Sequence, residues 1–201
     1  KSTFFVLGWV AERYPDIVNN IVAQGHELAS HGYAHQRATQ LSRKEFRMDI
    51  LKAKQILEDI SGVRVKGYRA PSYSINKDNL WVHDELLDSG HEYSSSVYPV
   101  KHDLYGIPDA PRLAYQCDNG LLEIPITTTH LANKNLPAGG GGFFRLYPYS
   151  VSKWNILRVN KQDRQAAIFY FHPWEIDPQQ PRQQGLSFKS KFRHYLNLNK
   201  T

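Results

Sequence analysis

A single cysteine, Cys117, in a chain of 201 residues excludes an intramolecular disulfide and any cysteine-built zinc knuckle. A bound metal would therefore take its ligands from His, Asp, Glu or water. No apolar run approaches the roughly 20 residues needed to cross a bilayer, so no transmembrane segment is expected. The start of the chain also lacks the charged stretch followed by an apolar one that marks a secretion signal. Charge of one sign is scarce too. Lys and Arg outnumber Asp and Glu by only 25 to 19, and no Lys/Arg run forms a basic stripe, so the excess reads as solvated surface and no nucleic-acid partner is expected. What is present is ordinary for a folded protein: 41% apolar and 22% charged residues exclude disordered and fibrous classes, and the length suffices for one large domain with a continuous core.

Strand-like and helix-like segments alternate along the chain. Residues 3–7 read as a buried strand with no preceding turn, and the chain begins Lys1-Ser2-Thr3 without an initiator Met, so sequence ahead of residue 1 is expected. Tyr14-Pro15-Asp16 opens a helix to about Gln24, stopped by Gly25, and residues 26–30 form a short strand. Ser42 and Glu45 make a capping box for a long amphipathic helix that ends before Gly62. A further strand leads into Arg69, a helix covers residues 79–89, and residues 93–97 form another strand. Three prolines and Gly106 make residues 99–111 a long loop, residues 121–129 are strand-like, and Pro137-Ala-Gly-Gly-Gly-Gly142 serves as a loop or close-approach element. Residues 166–171 are an apolar strand that ends at His172. No repeat and no linker divides the chain, and the alternation predicts a mostly parallel α/β sheet or barrel.

Polar residues placed just after these strands carry the chemistry, because α/β sheets set their ligand sites beyond the carboxyl ends of strands. His31 and His35, four residues apart, can close on one metal ion, for which a catalytic site uses about three protein ligands and keeps a position for water. Taken alone, the pair also fits two histidines that bind nothing. Arg69 after a second strand can orient a carboxylate or stabilise developing negative charge, or can form a structural salt bridge. His172 after a third strand can act as a general acid, or can be a satisfied core histidine.

The run Gly-His-Glu-Leu-Ala-Ser-His31-Gly-Tyr-Ala-His35, then Arg69-Ala-Pro71, then Phe-Tyr-Phe-His172, resembles the NodB-type polysaccharide deacetylases, carbohydrate esterase family 4. Leu-Pro-Ala-Gly-Gly-Gly-Gly-Phe-Phe-Arg and Phe-His-Pro-Trp-Glu-Ile-Asp-Pro resemble the subgroup linked to exopolysaccharide and PEP-CTERM (exosortase) loci. The resemblance implies one α/β domain over residues 1–201, a NodB-type distorted (β/α)7 barrel incomplete at its N-terminus. It implies a metal-dependent hydrolase that removes N-acetyl groups from an amino-sugar polysaccharide or oligosaccharide, using a divalent ion, zinc first, with cobalt or nickel as alternatives. His31 and His35 match the metal-binding histidines, with Gly32 where the family has a hydroxyl residue. Arg69 matches the arginine that steadies the catalytic aspartate, and Ser72 falls where a backbone N–H helps hold the oxyanion. His172 matches the general acid, though no aspartate to orient it can be placed at residues 93–96. Tyr73 and Trp174 are candidate sugar-stacking rings. The family's Thr-Phe-Asp-Asp motif, which supplies the base and the third metal ligand, is not in this sequence; residues 1–20 hold only Asp16, and an N-terminally truncated chain of impaired activity is expected. A non-catalytic carbohydrate-binding module and a different metal-dependent amidase or phosphoesterase are the alternatives. The compartment, bacterial cell envelope or cytoplasm, is left open.

Overall fold

The computed structural model describes residues 1–102 and 105–200, and the chain divides into two compact units, Lys1–Pro125 and Ile126–Thr201. The expected loop over residues 99–111 lies in part, at residues 103 and 104, outside the described residues.

In the first unit a six-stranded sheet is built from β1 (Thr3–Val6), β2 (Glu27–Ser30), β3 (Gly67–Tyr68), β4 (Tyr93–Ser94), β5 (Tyr115–Gln116) and β6 (Leu122–Glu123). Its order is β1-β2-β3-β4-β6-β5; every pair is parallel except β5 with β6. Strands β1 and β5 are the two edges of an open sheet, so the barrel implied by the resemblance is not closed among the described residues. Closure would require those edges to pair, and among the described residues neither pairs with a further strand.

Helices α1 (Gly8–Arg13), α2 (Pro15–Ala23), α3 (Arg43–Ser61) and α4 (Val82–Asp88) join these strands. Helix α3 forms as its sequence predicts. The Ser42 side chain accepts from the Glu45 N–H, the Glu45 carboxylate accepts from the Ser42 N–H at 2.8 Å, and Gly62 at φ +66° closes the last turn. Phe46, Ile50, Ala53 and Leu57 recur every three or four residues and are all fully buried. Phe46 and Ile50 pack with Tyr68, Ile75, Val82 and Leu86, while Leu57 packs with Val6, Ala11, Val18 and Leu28. One helix thus anchors both apolar clusters of the unit, each large side chain contributing about 1.5–3 kcal/mol by leaving water.

The second unit contains the hairpin of β7 (Thr128–Leu131) with β8 (Lys134–Pro137), and helices α5 (Gly141–Leu146), α6 (Tyr149–Arg158) and α7 (Phe188–Tyr195). Two expectations are corrected here. Residues 121–129 are not one strand but parts of β6 and β7, interrupted at Pro125, which has no N–H to donate to a ladder. Residues 166–171 do not form a strand: only Tyr170 pairs, with Gly140, and Phe169 and Phe171 are exposed. An apolar run signals burial rather than pairing, and here one bridge is all the hairpin-free backbone finds.

Candidate hydrolytic site

Parallel strands align their carboxyl ends in a row, and in the first unit that row carries His31 after β2, Arg69 after β3 and Ser95 after β4. The ladder continues past the strands: His31 N–H donates to Val6 O (2.9 Å), Arg69 N–H to Ser30 O (2.9 Å) and Ser95 N–H to Tyr68 O (2.8 Å). Backbone bonding therefore fixes the bases of all three side chains.

His31 Nδ1 lies 2.6 Å from the Arg69 carbonyl oxygen. A carbonyl only accepts, so Nδ1 carries the proton and Nε2 is the ring's acceptor nitrogen, the form in which imidazole binds a metal. The His35 ring stands edge-on to it, 5.1 Å between centroids. Turning the chain back within four residues requires left-handed backbone at Gly32 (φ +76°) and at His35 (φ +58°). The turn is held by Asp49 of α3, whose carboxylate accepts from Tyr33 N–H (2.9 Å) and Ala34 N–H (3.3 Å). Burial raises the Asp49 carboxyl above its ordinary range, against the opposing pull of those two N–H groups. The residues fit one end of a metal site; among the described residues no group of three His, Cys, Asp or Glu side chains comes together to complete it.

Arg69 reaches across to β4. Its Nε donates to Ser95 O (2.9 Å) and its Nη2 to Ser95 Oγ (2.7 Å), with the guanidinium 4.1 Å over the Phe5 ring. Ser96 Oγ accepts from Ala70 N–H, and buried Glu123 accepts from the N–H groups of Ser96 and Val97 at 2.8 and 2.9 Å. Ser72 and Tyr73 both have positive φ, 56° and 51°, a strained pair costing on the order of 1–3 kcal/mol per residue. Tyr73 is buried, with ring contacts to Tyr98 and Tyr105, so its surroundings are those of a packing residue rather than of an open sugar platform.

In the second unit His172 is half-exposed and tied to Glu175: the Glu175 Oε2 accepts from His172 N–H (2.8 Å) and lies 3.0 Å from His172 Nδ1. Glu175 is itself buried against Arg145, whose Nη2 is 3.0 Å from Glu175 Oε1; both side chains are 2% exposed. Burial raises the Glu175 carboxyl, but the hydrogen bonds from His172 and Arg145 outweigh it and hold the group below the ordinary range. The glycine run makes this possible, since a Cβ on Gly141 would stand 2.5 Å from Glu175 Oε2. It is a close-approach element, as expected, although Gly141 opens a helix rather than a loop. Trp174 stacks with His194 (4.1 Å between centroids) and His172 (5.5 Å) under the Arg145 guanidinium, so its ring is engaged within the unit.

Sequence reasoning thus missed Asp49, Ser95, Glu123, Arg145 and Glu175. Only Glu175 left a local signal: three residues beyond His172, it has the spacing of a capping box.

The family model described as Polysaccharide deacetylase matches residues 1–87. Curated relatives include a peptidoglycan-N-acetylglucosamine deacetylase from Bacillus cereus, 36% identical over 80 residues, which are 40% of this chain and 29% of that protein. A chitooligosaccharide deacetylase from Sinorhizobium fredii is 31% identical over 98 residues, 48% of this chain and 43% of that protein. The chain therefore spans less than half the length of these relatives. A crystal structure from Mycobacterium smegmatis, provisionally assigned as a polysaccharide deacetylase, shares the fold with a TM-score of 0.60 at 22% identity, covering 85% of this chain and 58% of that one. The model described as Domain of unknown function (DUF3473) matches residues 95–201, over half of the chain. The chain belongs to the DUF3473 family, and its amino-terminal residues 1–87 match the polysaccharide deacetylase model.

Proposed function

We propose that this chain serves the hydrolysis of N-acetyl groups from an amino-sugar polysaccharide, with an exopolysaccharide as the substrate class, and that His31 and His35 hold a divalent metal, zinc first. The observation that carries this reading is the His31 Nδ1 contact with Arg69 O at 2.6 Å, which sets the imidazole in its metal-binding tautomer beside His35. The amide-hydrolysing relatives support the reaction class.

A bound divalent ion supplies Lewis-acid polarisation and acidifies water to a pKa of roughly 7. The chain's own residues do the rest. Arg69, pinned to Ser95, presents a fixed positive charge to a carboxylate, and the backbone at Ser72 is proposed as an oxyanion donor, a contribution of about 3–4 kcal/mol for one well-placed donor. In the second unit, His172 with Nδ1 on Glu175 keeps Nε2 for proton transfer, the arrangement of a general acid. The resemblance assigns the base and the third ligand to an Asp-Asp motif that this sequence does not contain.

The test is acetate release from an acetylated chitooligosaccharide by the complete gene product, with and without chelator and with Zn²⁺, Co²⁺ or Ni²⁺ restored. Release that chelator stops supports the reading. A product that carries the Asp-Asp pair yet releases no acetate with any of the three metals overturns it, and oligosaccharide binding without release would establish a non-catalytic binding module instead. His31→Ala should lose metal and turnover together, whereas His172→Ala should lose turnover alone.

A further inference from the structure

Three residues, Gly32, Tyr33 and Ala34, separate the histidines of the pair, and one carboxylate from another element holds the backbone N–H groups of Tyr33 and Ala34 with the glycine beside them. Asp49 sits on α3 between fully buried Phe46, Ile50 and Ala53, so the helix cannot roll and its carboxylate has a fixed address. That address is the inside of the turn: Oδ2 accepts from Tyr33 N–H at 2.9 Å and Oδ1 from Ala34 N–H at 3.3 Å. Both oxygens are thereby engaged on the backbone. Gly32 completes the fit, because a Cβ there would stand 2.6 Å from Asp49 Oδ2, and its φ of +76° is one that L side chains rarely adopt. Tyr33 is fastened separately, its hydroxyl donating to Glu12 at 2.8 Å and its ring lying 3.4 Å beneath Lys52 Nζ.

We propose that Asp49 is the positioning residue of the His31–His35 pair, its carboxylate setting the turn that brings the two imidazoles to one metal ion, with Gly32 as the residue that admits it. The inference rests on the proposed metal role of the two histidines. It also accounts for the departure at position 32: a carboxylate from α3 supplies, through two N–H groups, the turn fastening that a hydroxyl side chain at position 32 would otherwise give. Asp49 acts through the backbone of Tyr33 and Ala34, between the histidines, rather than as a ligand.

Two readouts on the full chain separate this from a general structural role. Amide hydrogen exchange of the metal-free protein should show at least tenfold faster exchange at Tyr33 and Ala34 in Asp49→Asn, with the amides of Ile50 and Leu57 unchanged. Titration with Co²⁺ alone should show affinity weakened by roughly 10- to 100-fold in Asp49→Asn, the range for losing an outer partner of a metal ligand, and abolished in His31→Ala. Asp49→Ser, which removes the carboxylate and shortens the side chain, repeats both readouts if Asp49→Asn does not fold. Unchanged exchange at Tyr33 and Ala34, or unchanged Co²⁺ affinity where wild type binds through His31, overturns the inference. If wild type shows no His31-dependent Co²⁺ binding, the metal reading fails instead, and the exchange result alone decides whether Asp49 sets the turn.

Discussion

Replacing Arg145 by Met should be the most damaging single change in the second unit. Arg145 and Glu175 are each 2% exposed at the side chain, and the guanidinium donates to Glu175 Oε1 at 3.0 and 3.3 Å. Removing one partner of such a pair leaves a buried charge uncompensated, a loss of about 3–5 kcal/mol. The same guanidinium also donates to the carbonyls of Arg193, His194 and Leu196 at the end of α7 in part-buried bonds, whose loss adds to the cost. Against a net stability of about 5–15 kcal/mol the loss is a large share, and with a urea m-value of about 2 kcal/mol per molar it lowers the midpoint by roughly 2 M. Urea unfolding followed by far-UV circular dichroism, with two-dimensional NMR to separate the units, measures it. The difference from wild type should shrink in acid: the lowered Glu175 carboxyl stabilises the fold above its unfolded value near 4.5 and loses that contribution as pH falls through its lower folded value. Arg145→Met with Glu175→Leu should cost less than the sum of the single changes, by about 2 kcal/mol or more. A midpoint shift corresponding to under about 1 kcal/mol in Arg145→Met, or strict additivity in the double variant, would refute the reasoning.

Two histidines of the first unit should give opposite pH dependences. Ser89 Oγ spends its proton on Leu86 O, so it accepts from His91 Nδ1, and the buried Nε2 is left without a hydrogen bond; burial pushes His91 down to about 4. Its contribution is intact above 6.5 and is lost as pH falls toward 4, by up to about 3 kcal/mol, so His91→Gln should flatten the acid limb of a stability-versus-pH curve. His83 lies 3.6 Å from Glu123 Oε2, too far for a hydrogen bond but close enough for an ion pair. Burial opposes its charge, yet Cys117 and Glu123 raise it to about 9. Its contribution is present below 6.5 and lost as pH rises through about 9, and a flat profile over that window in wild type would contradict the pair. Gly141→Ala, which in an exposed helix would gain about 1 kcal/mol, should instead cost about 1–3 kcal/mol because the added methyl meets Glu175; equal or higher melting temperature would count against that packing.

Local patterns were legible wherever the cause of a structure is local. The capping box at Ser42 and Glu45 and the left-handed stop at Gly62 are set by neighbours within four residues, and α3 forms where they direct. Placement of His31 and Arg69 at strand ends followed from alternation, because a parallel sheet aligns its carboxyl ends whatever the loops contain. Illegible were the open edges of the sheet and the failure of residues 166–171 to pair, since pairing depends on which backbone arrives alongside, and periodicity is silent on that.

The sequence by itself determined the α/β class, the elements of the first unit apart from α1 and β5, the two histidines as a candidate metal pair and the close approach demanded by the glycine run. Each follows from spacing along the chain. Tertiary structure alone decided what holds those groups: Asp49 from α3 inside the turn at residues 31–35, Ser95 under Arg69, and Arg145 behind Glu175 and His172. The reason is physical. A hydrogen bond between residues 16, 26 or 30 apart is made only after packing has fixed both ends, so its partners leave no periodic or local trace in the chain that encodes them.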